Sequence, residues 1–384
     1  MQEFFEFYLG ARVLFKAGIV GELGDEVTRL HAQRAFIIAD RGVVSAGLLE
    51  PVLAGMRQSL EIVGVFDDVP ANSSVAVVMQ AAQQASAAGA DVIVAVGGGS
   101  PIDTAKCVRI LLSNEGHLLD YQGYNVLQAP LVPMIAIPTT AGTGSEVTPF
   151  AVIRDEAQDL KITFASSYMV PTLAVLDPLM TASMPARLTA ATGADALTHA
   201  IECYVSTDRS LFTDSLALHA IELVAGSLAT ATRHGADLEA RSTMLIASCL
   251  AGIAFSNGFL GVVHAMAHAT GGKFPVHHGT TNAILLPYGM EFNLSAAPQR
   301  YARIARALGV DAAGRSDEAV AHSGIAAVRG LLADCGLPAR LREIDVPADA
   351  LDQIAEIALT DAAIFNNPRS AALEDIRAML QAAW

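Results

Sequence analysis

Four of the ten histidines, His264, His268, His277 and His278, fall within fifteen positions, where a stretch (242–272) without Asp, Glu, Lys or Arg gives way to a glycine- and proline-containing turn. His264 and His268 are spaced i,i+4 and share one helix face. Gly271, Gly272 and Pro275 are expected to break that helix and return His277 or His278 towards it. Upstream, TAATGADALTHAIECYVS (189–206) sets Asp195 and His199 at the same spacing. A lone buried histidine is more often a hydrogen-bonded core residue than a ligand, and an Asp/His pair one turn apart is often a surface contact. Both pairs lie in apolar helices, however, and a buried carboxylate without a partner is costly, so Asp195 asks for a cation. Two helices would then present oxygen and nitrogen ligands to one ion. Without thiolates the set suits Fe(II), Zn(II) or Ni(II) rather than Cu(I).

A second kind of chemistry is written in two glycine- and hydroxyl-rich loops. VGGGSPIDTAK (96–106) follows the apolar run DVIVAV and opens an apparent helix, a place where backbone N–H groups can approach a phosphate. Ser100 reads as the N-cap, Pro101 as the first helical residue and Asp103 as the closing member of a capping box. Three glycines at a strand-to-helix turn are common without any nucleotide, and this is not the GxGxxG fingerprint. IPTTAGTGSEVT (137–148) adds Thr139, Thr140, Thr143 and Ser145 after the next run. Both loops lie where ligands of open α/β sheets bind, at the carboxyl ends of strands. Asp40 ends another run, FIIA, placed to accept from a ribose and to repel a 2′-phosphate. It also reads as an ordinary turn aspartate, and Arg41 beside it leaves NADP open.

The elements that must position these residues divide the chain. FIIA (36–39), EIVGVF (61–66), DVIVAV (91–96), PMIAI (133–137) and TLAVL (172–176) are β-rich runs separated by helical stretches, as in parallel βαβ units. AVIRDEAQDLKITF (151–164) reads as a hairpin. From Pro185 onward long Ala/Leu-rich stretches with helical spacing take over. The expected fold is α/β: a dinucleotide-binding domain with a parallel sheet over residues 1–184, then an all-helical metal-binding domain over 185–384. ARVLFK (11–16) reads as an exposed strand that favours pairing with another subunit.

Composition narrows the classes. With 384 residues, 52 % of them hydrophobic, the chain can bury large cores, and a net charge of −15 argues against nucleic acid or an anionic membrane as partner. Cys107, Cys203, Cys249 and Cys335 stand far apart, which suits reduced thiols in a cytoplasm. The opening MQEFFEFYLG lacks the basic start of a secretory signal. The stretch 242–272 is long enough to imitate a membrane span, and its Gly, Ser, Asn and His content favours a buried helix pair.

Taken in order, GGGSPIDTAK, IPTTAGTGSEVTPFAVI, DPLMTASMPARLTAATGADALTHAIECYVS, GVVHAMAHATGGKFPVHHGTTNAILLP and NNPRSAALEDI resemble the iron-containing (group III) alcohol dehydrogenases over essentially the whole chain. The resemblance implies a dinucleotide-binding α/β domain, a helical domain, and a cleft between them holding metal and nicotinamide. It implies Asp195, His199, His264 and His278 as ligands of Fe2+ (Zn2+ or Ni2+ as alternatives), with His277 a neighbour. His268 resembles a histidine near nicotinamide and substrate, a proton relay. On the NAD side it implies Asp40, Asn72, Gly98, Gly99, Ser100, Asp103, Thr139, Thr140, Thr143 and Lys161, the last also readable as a solvated strand residue. A dimer or larger homo-oligomer is implied as well. Phe259 departs from the small residue expected at its place.

An alcohol is a poor hydride donor until it loses its hydroxyl proton, and a divalent cation lowers that pKa as it does for water. The implied reaction is hydride transfer between a small primary alcohol or aldehyde and NAD(H). Segments bearing Phe150, Phe255 and Leu260 carry no Lys or Arg for an anionic substrate. A metal-free reductase such as maleylacetate reductase conflicts with the complete ligand set. A lyase of the dehydroquinate synthase type would need basic residues that the helical segments lack. A non-catalytic metal or nucleotide binder is the third alternative.

Overall fold

The computed structural model describes residues 4–158 and 160–384; residues 1–3 and Asp159 lie outside the described residues. Two compact units emerge, one made of Leu9–Thr140 and Gly144–Ser183, the other of residues up to Tyr8, Ala141–Thr143 and Met184–Trp384.

The first unit is α/β. Strands β1 (Arg12–Phe15), β2 (Arg34–Ala39), β3 (Glu61–Phe66), β4 (Val92–Gly97), β6 (Met134–Pro138) and β9 (Leu173–Leu176) form one sheet in the order β1-β9-β6-β4-β2-β3. Every pairing in it is parallel. A smaller sheet holds β5 (Gly123–Tyr124), β8 (Leu160–Ala165) and β7 (Phe150–Asp155), with β7 and β8 antiparallel as the hairpin reading expects. The helices are α1 (Gly24–Thr28), α2 (Arg41–Ser45), α3 (Leu49–Met56), α4 (Val75–Ala87) and α5 (Gly99–Ser113).

Strands β4 and β6 are buried at every position because both faces of the sheet are covered. Phe36, Ile38, Ile93 and Ala95 join Val78, Ala81, Ile102 and Val108 in one core. Their neighbours Ala35, Ile37, Val92 and Val94 join Leu23, Val52 and Met56 in the other. That alternation is the two-residue period of a strand realised on both sides. The edge strand β1 pairs only with β9 among the described residues and is part-exposed.

The second unit is helical: α6 (Ala186–Val205), α7 (Leu211–Arg233), α8 (Leu238–Gly258), α9 (Val262–Lys273), α10 (His278–Leu294), α11 (Pro298–Ala307), α12 (Asp317–Asp334), α13 (Leu351–Ala358) and α14 (Leu373–Ala383). No strand occurs among its described residues. Helix α6 is its hub, buried at every residue from Thr189 to Val205 and packed against α7, α8 and α10.

Several local expectations change. Helix α5 starts at Gly99 with Gly98 as N-cap and no side-chain cap, so Ser100 is not its cap and Asp103 closes no capping box. The Ser100 hydroxyl accepts instead from the Asn72 N–H at 3.2 Å. Helix α9 runs through Gly271 and Gly272 to Lys273, and the break falls at Phe274 and Pro275. His278 therefore opens a third helix, where two had been expected to carry the ligands. The stretch 242–272 is the helix pair α8 and α9. By length and composition alone, α7 and α8 are each apolar enough to cross a membrane, so α7 joins the stretch the sequence singled out.

Candidate active site

Asp195 and His199 lie one turn apart on α6, and His264 projects from the first turn of α9. Their ligand atoms all fall within 4.8 Å of one another, and all three residues are buried. The His199 and His264 rings stack at 4.6 Å, and Phe255 stacks on the other side of His199 at 4.4 Å. His278 borders the group from the start of α10, its Nε2 3.6 Å from Asp195 Oδ1. Gly279 permits this, since a Cβ there would run into the Ala191 carbonyl of α6. His277, by contrast, is exposed.

Each inner imidazole is held from behind. His199 Nδ1 faces the Gly142 carbonyl at 3.3 Å, and His264 Nδ1 faces the Glu202 carboxylate at 2.6 Å. Asn282, one turn beyond His278, donates to Asp195 Oδ1 at 2.7 Å; its Nδ2 also lies 3.0 Å from His264 Nε2 and 3.1 Å from His278 Nε2. Burial lowers the pKa of His199, and it drives that of His264 well below the ordinary value, reinforced by the neighbouring His199. Both imidazoles are thus neutral near pH 7, the form that ligates a cation.

This donor set fits a divalent ion. Among the described residues the basic side chains close to the buried Asp195 carboxylate are the imidazoles of His264 (3.9 Å) and His278 (3.6 Å), with no Lys or Arg. A carboxylate and neutral imidazoles converging without thiolates match Fe(II), Zn(II) or Ni(II).

His268, one turn after His264, is part-exposed and its ring stacks on His278 at 5.3 Å. Its Nδ1 lies 2.9 Å from Asp361 Oδ2. The other oxygen of Asp361 accepts from the Ala363 N–H, capping the short 3-10 turn Ala362–Asn366. Burial opposes ionisation of Asp361, but His268 and the Ala363 N–H outweigh it and hold the carboxyl below its usual range.

In the α/β unit Asp40, Asn72, Gly98, Gly99, Ser100, Thr139 and Thr140 follow the carboxyl ends of β2, β3, β4 and β6. Asp40 follows β2 and caps α2 through the Val43 N–H, while Arg41 pairs with Asp68 at 2.8 Å. Asn72, in a left-handed conformation (φ 56°), meets Ser100. Gly98 and Gly99 begin α5, and the Thr139 N–H donates to the Gly97 carbonyl at 3.0 Å. Thr140 borders Gly98. Asp103 is turned into the scaffold: it accepts from Ser145 Oγ at 2.6 Å and the Val152 N–H at 2.9 Å. Lys161, on β8, contributes a positive charge close to it. Thr143 belongs to the helical unit.

Sequence reasoning passed over Glu202, Asn282, Asp361 and Lys106. Glu202 falls seven residues after Asp195 on an apolar helix and Asn282 four after His278, so helical spacing carried a signal for both. Lys106 is buried, donating to Ser145, Thr148 and the Phe150 carbonyl, with burial lowering its pKa to about 8. Nothing local marks Asp361.

Family models match nearly the whole chain: iron-containing alcohol dehydrogenase over residues 10–178 and the C-terminal region of the Fe-containing alcohol dehydrogenase family over 189–384. The chain is 36 % identical to the NAD-dependent methanol dehydrogenase of Bacillus methanolicus, over 98 % of each chain. It is 38 % identical to the 1,3-propanediol dehydrogenase of Klebsiella pneumoniae over 96 % of each. A solved structure of 1,3-propanediol oxidoreductase superposes with a TM-score of 0.97 over both whole chains, at 38 % identity. Fold, donor set and relatives together define an NAD-dependent alcohol oxidoreductase. The chain belongs to the iron-containing alcohol dehydrogenase family.

Proposed function

We propose that the protein interconverts small, neutral primary alcohols and their aldehydes using NAD(H), with Asp195, His199, His264 and His278 holding Fe2+, or Zn2+ or Ni2+ in its place. The observation that carries this reading is the buried convergence of Asp195, His199 and His264 within 4.8 Å. A bound divalent cation supplies Lewis acidity that lowers the pKa of an alcohol hydroxyl or polarises a carbonyl.

The chain's own residues supply the rest. Phe255, stacked on His199, gives an apolar wall beside the ligands and no charge for an anionic substrate. His268, with Nδ1 engaged by Asp361, presents Nε2 to take up the hydroxyl proton and release it to water. The α/β unit, Leu9–Thr140 with Gly144–Ser183, acts as the dinucleotide-binding domain and the helical unit as the metal-binding domain. Within the α/β unit Asp40, Asn72, Gly98, Gly99, Ser100, Asp103, Thr139, Thr140 and Lys161 form the NAD site, with Asp103 holding the loops together. NAD is preferred over NADP because the Asp40 carboxylate would face a 2′-phosphate, and Arg41 is engaged by Asp68. Relatives named for methanol, 1,3-propanediol and lactaldehyde support a small substrate. The protein acts in the cytoplasm as a homodimer or larger homo-oligomer, without nucleic acid or membrane partners.

The test is NADH absorbance during turnover of linear alcohols of increasing length, repeated with NADP and after treatment with a chelator. The expected result is chelator-sensitive oxidation of short alcohols, faster with NAD. Efficient turnover of a dicarboxylate or phosphorylated substrate, chelator-resistant activity or a preference for NADP would overturn the corresponding part.

A further inference from the structure

The Glu202 carboxylate is buried in the helical unit, seven residues along α6 from Asp195. Its Oε1 accepts from the Val263 N–H at 2.7 Å, and its Oε2 accepts from the His264 N–H at 3.2 Å and meets His264 Nδ1 at 2.6 Å. Gly261 leaves room for it, since a Cβ there would lie 2.9 Å from Oε1. Helix α9, which has no side-chain cap of its own, is thus capped by a carboxylate borrowed from α6. Asn367 completes the cap by accepting from the Val262 N–H at 3.1 Å.

We infer that Glu202 is a positioning residue whose contact with His264 fixes the tautomer of that imidazole and so its capacity to hold the cation. Burial pushes the Glu202 carboxyl up to about 7, but the backbone N–H groups of Val263 and His264 favour its charged, accepting form, and with both oxygens accepting, the proton of the neutral imidazole sits on Nδ1. The lone pair is then on Nε2, the atom directed at Asp195. Asn282 reports the same tautomer independently: its Nδ2 donates to Asp195 Oδ1 and lies 3.0 Å from His264 Nε2, which suits an accepting nitrogen. A carboxylate behind a ligating imidazole also raises its basicity. Among the described residues the side-chain hydrogen bonds of Asn367 join it to the Val262 N–H, to Asn293 and to the Arg369 carbonyl, not to the His264 ring, so cap and tautomer can be separated by mutation.

The inference rests on His264 being a metal ligand, and the experiment keeps the two apart. Protein stripped with a chelator is titrated with Zn2+ against a chromophoric competitor, and its Tm is measured metal-free. Glu202→Gln places an amide donor where Nδ1 needs an acceptor, and Zn2+ affinity is expected to fall roughly 10- to 100-fold. Glu202→Asp keeps the charge but shortens the reach and should fall between Glu202→Gln and the natural protein. Asn367→Ala should lower Tm while leaving Zn2+ affinity within about twofold, because losing a cap acts on helix stability. If Asn367→Ala weakens Zn2+ binding as much as Glu202→Gln, or if Glu202→Gln and Glu202→Asp both bind Zn2+ like the natural protein, the inference is overturned. If His264→Ala retains full affinity, the ligand reading itself fails instead.

Discussion

The two units solve opposite electrostatic problems. In the helical unit charged and lone-pair-bearing side chains converge: Asp195, His199 and His264 point at one place, and Gly142, Glu202 and Asp361 hold imidazoles from behind. In the α/β unit the strand ends offer backbone and hydroxyl groups, and Asp103 and Lys106 turn inward. Asp103 and Lys106 tie the 96–106 loop to the 137–148 loop through Ser145. A cation needs ligand atoms fixed in number and direction, so charge must be buried and oriented. A dinucleotide phosphate is well served by backbone N–H groups, so charge in that unit is free to act as scaffold.

If orientation from behind is what matters in the helical unit, Asp361→Asn should have the largest effect of three further substitutions. The amide can still cap Ala363, but it can present an N–H to His268 Nδ1 and favour the other tautomer. A loss in kcat of roughly 10- to 100-fold is expected with metal content unchanged. Elemental analysis alongside steady-state kinetics checks it, and an unchanged kcat would remove His268 from proton transfer.

The scaffold side of the comparison is sharpened at Glu146. Burial pushes its pKa up from 4.5 to about 7, with its own backbone N–H and Lys106 opposing. Between those values the folded protein holds a proton that the unfolded chain has lost, so this residue's contribution to stability falls as pH rises through the window. Glu146→Gln is neutral throughout. It should be more stable than the natural protein above the window, by on the order of 2 kcal/mol, with the advantage vanishing below it. Scanning calorimetry across pH decides, and a Tm difference independent of pH would refute the charge explanation.

The smallest effect is expected at Phe259, the bend between α8 and α9. Its backbone, φ 59° and ψ −171°, lies in a region that glycine alone occupies readily. The sequence flagged this residue as unexpectedly large, and the structure supplies the reason a small one is expected. Phe259→Gly relieves roughly 1–3 kcal/mol of strain but makes the unfolded chain more flexible, leaving a net gain of about 1 kcal/mol. A clear fall in Tm would mean that packing of the ring outweighs the strain. A shift of the chain-length optimum towards longer alcohols would instead place the ring against substrate.

Sequence revealed the parts whose signal is local. The buried strands β2, β4, β6 and β9 read as apolar runs, and the i,i+4 spacings of Asp195/His199 and His264/His268 survive because a helix turn is a fixed ruler. Contacts chosen by tertiary packing were not legible. Ser100 and Asp103 have the residue types of a cap and a capping box, yet Asn72, Ser145 and Val152 claim them from other segments. Gly271 and Gly272 look like breakers, yet they remain helical because context overrides propensity. Asp361 stands 93 residues from His268, where no periodicity reaches.

That separation bears on how the protein is made. Asp361 and Asn367 both act on α9, the first through His268 and the second through the Val262 N–H, at sequence separations of 93 and 105. During synthesis the histidine helix emerges from the ribosome long before either partner exists. At about 5–20 residues per second the interval is on the order of ten seconds, far longer than a helix needs to form. Over that time α9 lacks its Asn367 cap and His268 its carboxylate. A nascent chain can bury its sheet and much of its helical core while these two restraints on α9 are still missing. Catalytic competence would then be acquired late in translation, when residues 361–367 close over a helix that has been waiting for them.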